Sequence, residues 1–505
     1  MGSVRIGLAL MGALFVLVPA WAQDTKTKAP RIWDDAALKD WAVSVRNMRP
    51  KHYSSAEYYA APADNLRSYP VYHPDREPAG YLDSLRKRGP EPLIELGKAR
   101  TKAEWIKEGA RVWDEFDLLQ VRTSDFRVID YVRSPEAIKK YPLRTTKDGQ
   151  LFDFRWVVDK GGNLQLSVRE CSACHTRVTR DGSVISGSQG NFPPPPAAPM
   201  FNFMFSVFSL PKEPGEDPAS PGESVYSQWG VPWFPDDIHL RLKSMSPPEV
   251  QGLIDADAPG TIARFNGSPY FTTKMPSLIG VRHSRYLDAT GTHRNRGPED
   301  IARYAALVTV ADDGAIGPHK FFTEYQRRIR IRYSDDALYA LGMFIYYGLE
   351  EPKNPNQPDD LSRRGQKVFS STGCVACHTP PNYTNGMLIS VDGFTPPDDE
   401  ETKSLHIMRG VRVGTNPGGA MLTRKATGYY KVPSLLGLWH RELIEHSGSI
   451  GSLDDWFDRK RLSEDYVPSG WKGPGVKNRA VPGHEFGLDL PADDKRALVA
   501  FLKTL

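Results

Sequence analysis

All four cysteines of this 505-residue chain fall in two Cys-x-x-Cys-His runs, Cys171-Ser-Ala-Cys174-His175 and Cys374-Val-Ala-Cys377-His378. This spacing sets two thiols one helical turn apart, where they can add to the two vinyl groups of a haem. It also puts the next imidazole beneath the iron as an axial ligand. A zinc site would need further Cys or His at closing spacing. A thioredoxin-like redox pair needs no His after its second Cys and usually lies in a βαβ pattern. Two such runs therefore predict two covalently bound haems of the c type, one on Cys171, Cys174 and His175 and one on Cys374, Cys377 and His378. They leave no cysteine for a disulfide.

Haem is joined to such sites outside the cytoplasm, and the N-terminus agrees with export. Arg5 precedes a nearly unbroken apolar run from Ile6 to Ala20, and Ala20-Trp21-Ala22 supplies a small-x-small cleavage pattern. Residues 1–22 are expected to be a signal peptide cleaved after Ala22, which delivers the chain to a periplasm. The alternative is an uncleaved anchor, for which the run is short. No later stretch reaches ~18 apolar residues, so the cleaved chain is not expected to span a membrane. A net charge of +4 from 65 basic and 61 acidic residues is too small to argue for nucleic acid as a partner. With 43 Gly and 42 Pro the chain is richer in turn formers than most globular proteins, which predicts long loops.

An internal repeat divides the chain. Lys274-Met-Pro-Ser-Leu-Ile-Gly280 and Lys431-Val-Pro-Ser-Leu-Leu-Gly437 coincide at an offset of 157, and each is followed by a His, His283 and His440. Ser334-Asp-Asp-Ala-Leu338 matches Ala492-Asp-Asp-Lys-Arg496 at an offset of 158, each opening an apolar stretch of helical period. Upstream, Gly109-Ala-Arg-Val-Trp113 resembles Gly365-Gln-Lys-Val-Phe369. In the second copy this motif ends just before Cys374. In the first, Gln150–Val158 and Asn163–Val168 intervene as strands flanking the turn Asp159-Lys-Gly-Gly162, a hairpin signal. The two haem runs are 203 residues apart, so the first copy also carries an insertion, placed in the Pro-rich stretch containing Pro193 to Pro196 and Pro211 to Pro221. Glu350 to Pro358 is a polar, proline-stiffened linker. The expected organisation is an irregular N-terminal extension over 23–99, a first haem domain over 100–349 and a second over 359–505.

What fills the sixth position of each iron decides between electron transfer and chemistry. His484 lies on a Gly-flanked loop, Pro482-Gly483-His484-Glu485-Phe486-Gly487, just before the last helix. Carried back by 158 it falls on Gln326. The repeat thus offers a distal imidazole to the second haem and none at the matching place for the first. Met387, Met408 or Met421 are the alternatives to His484, and His319 is a candidate to close the first haem.

The chain resembles the bacterial diheme cytochrome c peroxidase superfamily, which includes the diheme enzyme that matures the tryptophylquinone cofactor and the diheme rubber oxygenases. The resemblance covers roughly residues 100 to 505. It rests on Gly373-Cys-Val-Ala-Cys-His378, Lys431 to Trp439, His446-Ser-Gly-Ser-Ile-Gly-Ser-Leu453 and Gly483 to Gly487. It implies a mainly α fold of two tandem cytochrome c-like domains, with the hairpin inserted in the first, and it allows a calcium ion between the haems that no acidic cluster here demands. In that family the first haem activates the oxidant and the second relays electrons. His484 resembles the distal His of the second haem in the rubber oxygenases, where the standard peroxidases use Met.

Departures from the family leave the catalytic acid and base unassigned. After His175 there is no His until His239, whereas standard peroxidases have one soon after their first haem run. Glu299, Asp300 and His283 are candidates only, since a helix cap or a solvated site accounts for each. His440 and His446 read as supporting rather than ligating. Trp229 and Trp233 could carry charge but fit buried packing better. The function expected is a peroxidase-type oxidoreductase that reduces hydrogen peroxide at the first haem with electrons relayed through the second. A small donor such as a monohaem cytochrome c or a cupredoxin would supply them. The rivals are a dioxygen-activating oxygenase acting on an apolar alkene and a diheme electron carrier without catalysis.

Overall fold

A computed structural model describes residues 25–505 apart from 141–142, 193–219, 264–266, 311–314, 321–322, 324–325 and 327. The expected signal peptide and Pro193 to Pro196 lie outside the described residues, as does most of the Pro211 to Pro221 stretch. Helix is the commonest regular structure. Strands are short, many of two or three residues, and loops connect almost everything. Among the described residues no helix is long and apolar enough to cross a membrane.

Two helix pairs organise the chain. In the first, α1 (Lys102–Glu115) is closed at its start by a reciprocal Thr101 and Glu104 capping box and buries Trp105, Gly109, Val112 and Trp113 along one face. It packs on α2 (Asp335–Met343), which is capped by Ser334. In the second, α3 (Asp360–Ser371) is capped by Asp359 and buries Gly365, Val368 and Phe369. It packs on α4 (Ala492–Leu502). The crossings match residue for residue. A Cβ on Gly109 would overlap the Ala340 carbonyl, and one on Gly365 would overlap the Ala497 carbonyl. Only glycine lets these main chains approach so closely. Ala340 and Ala497 stand 157 apart, so the repeat keeps one offset to its last helix and the sequence match at 158 is out of register by one.

Residues before α1 are woven into the first helix pair. Ile32, Trp33, Trp41 and Tyr58 share a core with Trp105, Val112, Leu338 and Leu341. Pro50–Lys51 pairs antiparallel with Ala315–Ile316, and Ala63–Asp64 pairs parallel with Arg332–Tyr333. A three-stranded antiparallel sheet lies beside this core, formed by β1 (Ser68–Tyr72), β2 (Gln150–Val158) and β3 (Leu164–Val168), with β2 in the middle. The β2–β3 turn is tied by the Asp159 carboxylate, which accepts from the Gly161 and Asn163 amides at 2.8 Å each.

The two copies meet along a seam with twofold character. The Lys274 amide donates to the His446 carbonyl at 3.0 Å, and the Lys431 amide donates to the Ala289 carbonyl at 2.8 Å. Lys274 with Lys431 and Ala289 with His446 are each related by the offset of 157, so the two bonds are reciprocal. Beside them Asp288 and Glu445, again equivalent, both hold left-handed backbone with φ of 60° and 68°. Burial pushes the ammonium groups of Lys274 and Lys431 down to about 8. The linker lies back on the second copy, where Asn354 Nδ2 donates to the Lys503 carbonyl at 2.9 Å.

Candidate functional site

Each Cys-x-x-Cys-His run forms one tight turn. The His175 amide donates to the Cys171 carbonyl at 3.0 Å and the His378 amide to the Cys374 carbonyl at 2.9 Å, so both thiols and the imidazole of each run come to one neighbourhood. All four thiols are free of disulfides. Among the described residues no three His, Cys, Asp or Glu side chains are placed to hold a metal ion by themselves.

The repeat motif also fixes the orientation of the first imidazole. His175 Nδ1 lies 2.9 Å from the Pro276 carbonyl oxygen. His378 Nδ1 lies 3.2 Å from the Tyr383 carbonyl, and the ring also hydrogen-bonds the Pro433 backbone. Pro276 and Pro433 are the same position of the repeat. With Nδ1–H donated to a carbonyl, the Nε2 lone pair is left for a metal and the ring is fixed in orientation. Burial keeps His378 neutral by lowering its pKa.

The second copy closes over this imidazole. The His484 ring centre lies 6.4 Å from that of His378. Two imidazoles binding one metal at ~2 Å each would hold their centres about 6 Å apart, so the pair fits an iron between them. Burial, and then the neighbouring His378, push His484 down to about 4, which preserves the neutral form a metal needs. Its Nδ1 has no partner beyond its own backbone. The loop reaches this position through left-handed backbone at Gly483 and His484, with φ of 77° and 48°. A Cβ at Gly483 would collide with the main chain of Gly414 and Thr415. The rings of Trp456 and Phe486 flank the imidazole at 5.1 and 5.3 Å.

The other sequence candidates fall elsewhere. At the offset of 157 the first-copy counterpart of His484 is residue 327, an arginine outside the described residues. Gln326 trades hydrogen bonds with Thr323 as a local cap. His319 packs on Trp233 at 5.3 Å. Met408 Sδ lies 3.6 Å from Cys377 Sγ. Met421 packs with the cluster that includes Tyr429 and Tyr430, and Met387 follows the Asn385 turn.

Asp300 is buried and paired with Arg296 and Arg303, and Glu299 sits beside it in the first turn of the helix Pro298–Val310. His283 Nε2 accepts from Arg282 at 3.1 Å. His440 bridges Ser188 Oγ at 2.8 Å and Glu351 Oε1 at 2.7 Å. His446 stacks on Tyr430 at 4.0 Å. Against the upward push of burial, His446 and Ser447 hold the Glu445 carboxyl down to about 2. Trp229 is a core residue. His239, the first histidine after His175, lies in a row with Asp237 at 3.1 Å and Ser268 at 2.7 Å. All three are buried and Ser268 Oγ also accepts the Tyr270 amide, so this is a core network without access for a substrate.

The carbonyls of Pro276 and Pro433 were not singled out from sequence. The signal was present, since the proline is the invariant centre of the repeat. No protein family matches the chain at the sequence level, and no curated protein matches it either. Among solved structures, a hydrazine synthase of Kuenenia stuttgartiensis pressurised with xenon is 15% identical at a TM-score of 0.28, over 59% of this chain and 90% of that one. A MauG-like protein associated with microbial copper homeostasis is 17% identical at a TM-score of 0.26, over 59% of this chain and 92% of that one. At scores this low neither likeness establishes a shared fold, and the two imidazole sites stand on their own geometry.

Proposed function

We propose that the chain is an exported diheme c-type cytochrome that works as a two-electron oxidoreductase of the diheme cytochrome c peroxidase kind. It reduces hydrogen peroxide at the site of His175 and takes electrons through the site of His378 and His484, from a small periplasmic donor such as a monohaem cytochrome c or a cupredoxin. The observation that carries this reading is the difference between the copies. Two imidazoles face each other in the second, while the matching position of the first is an arginine, which does not ligate iron. Haem, when bound, supplies a one-electron couple at each site and a coordination position for a small oxidant where no side chain takes it.

The residues divide the work accordingly. Cys171 and Cys174, or Cys374 and Cys377, would hold the macrocycle through thioether bonds. Pro276 holds the Nδ1 proton of His175 and Tyr383, beside Pro433, holds that of His378, which leaves each Nε2 for a metal. His484, facing His378, would take the remaining coordination position of the second site and exclude peroxide, which would suit that site to relay. The overall change, hydrogen peroxide with two electrons and two protons giving two waters, needs both centres or two successive donor encounters.

The test is spectroscopic first. Resting protein should give one low-spin bis-histidine haem, and reduced protein should bind one carbon monoxide per two haems. Peroxide should then oxidise a reduced small cytochrome c with turnover, and His175→Gly should abolish it. Two six-coordinate haems with no carbon monoxide binding would overturn the reading in favour of a carrier. Oxygen uptake with an alkene in the absence of peroxide would overturn it in favour of an oxygenase.

A further inference from the structure

We infer that Arg461 is the positioning residue that holds the His484 loop over His378, an inference that rests on the reading of these two imidazoles as ligands of one haem. The Arg461 side chain is fully buried. Its guanidinium donates only to carbonyls: Nε to Trp456 at 2.8 Å, Nη1 to Val481 at 2.6 Å, and Nη2 to Gly483 at 2.8 Å and to His484 at 3.0 Å. It makes no ion pair with a carboxylate among the described residues.

A buried permanent cation with no carboxylate in direct contact, and only the longer-range attraction of Glu485, Glu445 and Asp455 to offset its burial, is costly, and its retention calls for a task. The four acceptors identify one. They belong to the Trp456 turn and to the stretch from Val481 to His484, so the one planar fork ties the distal loop to the helix beside it. The same guanidinium lies over the Trp456 ring at 4.5 Å, and that ring flanks the His484 imidazole.

The loop needs such a hold. His484 and Gly483 both sit in left-handed backbone, a conformation that persists in a non-glycine residue only where its surroundings enforce it. The His484 amide is tethered separately, donating to the Val413 carbonyl at 2.5 Å. Lysine cannot replace the fork, because one ammonium on a flexible stem does not reach carbonyls on both sides of the loop with fixed geometry. The charge has a second effect, since a fixed cation close to an iron favours the reduced state.

The experiment uses the intact holoprotein with Arg461→Gln and Arg461→Lys, each checked for full haem content. In Arg461→Gln, carbon monoxide binding to the reduced protein should rise from one towards two per chain and the low-spin signal of the second haem should shrink. Added imidazole should restore that signal by standing in for His484. Arg461→Lys should bind carbon monoxide to an intermediate extent while keeping the midpoint potential close to wild type, whereas Arg461→Gln lowers it. Unchanged carbon monoxide stoichiometry and spin state in both variants would overturn the role of Arg461. Where Arg461→Gln does not accumulate as holoprotein, Arg461→Lys decides alone, and wild-type carbon monoxide binding in it overturns the role. Wild-type protein that already binds two carbon monoxide molecules would instead overturn the ligand pair itself.

Discussion

The same substitution, glycine to alanine, should have opposite signs at two helical positions of this chain. At Gly365 in α3 an added Cβ would stand 2.5 Å from the Ala497 carbonyl carbon and 2.8 Å from Phe501 Cβ, and closer still to the Ala497 oxygen. Carbon atoms rest about 3.5–4.0 Å apart, so α3 and α4 must separate by roughly 1 Å. Overpacking of this kind costs ~1–3 kcal/mol, and because the obstacle is main chain the upper half applies. Alanine returns ~1 kcal/mol through helix propensity, which leaves a net loss of about 1–2 kcal/mol. At Gly252, exposed within the helix Pro247–Ile254, a Cβ meets nothing within 4 Å. There the propensity gain stands alone at ~0.5–1 kcal/mol in favour of the variant. Scanning calorimetry of the holoprotein at one pH should show the transition that contains α3 and α4 lowered by about 2–8 °C in Gly365→Ala, given ~2–4 °C per kcal/mol for units of this size. Gly252→Ala should leave that transition in place or raise the one containing its own helix. A Gly365→Ala protein with unchanged or higher transitions would refute the claim that glycine sets this helix crossing.

Two further outcomes follow from other residues. Denatured wild-type chain should carry the mass of two haems, and Cys171→Ala with Cys174→Ala should carry one; a chain of bare polypeptide mass from a host competent in haem attachment would refute the assignment of the two runs. Burial raises the Asp257 carboxyl from 3.8 to about 6, despite the Ala263 amide and Thr272. The folded state thus binds this proton more tightly than the unfolded chain, so its contribution is complete below pH 4 and is lost as the pH rises through about 6. At ~1.4 kcal/mol per pH unit the span is at most about 3 kcal/mol. Asp257→Asn should therefore gain stability over wild type between pH 4 and 7 in denaturant titrations, and a difference that stays flat across that range would refute it.

What was legible in the sequence was whatever repeats or alternates. The two Cys-x-x-Cys-His runs are contiguous, and Lys274-Met-Pro-Ser shows its partner at a glance. The meeting of His484 with His378 could be read because glycines on both sides mark a loop that must turn sharply before the last helix. The packing of residues 25–100 was not legible. Pro50–Lys51 and Ala63–Asp64 pair with segments more than 250 positions away through two residues each, too few to show a period. The offset of 158 at the last helix came from matching Asp-Asp pairs at a helix start, where acidic residues are common for electrostatic reasons and fix no register. Asp300 looked like a candidate acid because sequence does not show that Arg296 and Arg303 reach it from one turn before and after. Arg461 escaped notice for the opposite reason. Its partners are backbone carbonyls, which leave no trace in side-chain identity.

The reciprocal bonds from Lys274 to His446 and from Lys431 to Ala289 describe what would be an isologous interface if the two halves were separate molecules. In a true homodimer every change in sequence appears on both sides of the axis, so the two centres could never be given different ligands. Joining the halves through residues 350–358 removes that restriction. It also makes their association intramolecular, at an effective concentration that dilution cannot lower. One half can then take a histidine at position 484 while its counterpart keeps an arginine at 327, and the reciprocal bonds between the halves survive the difference.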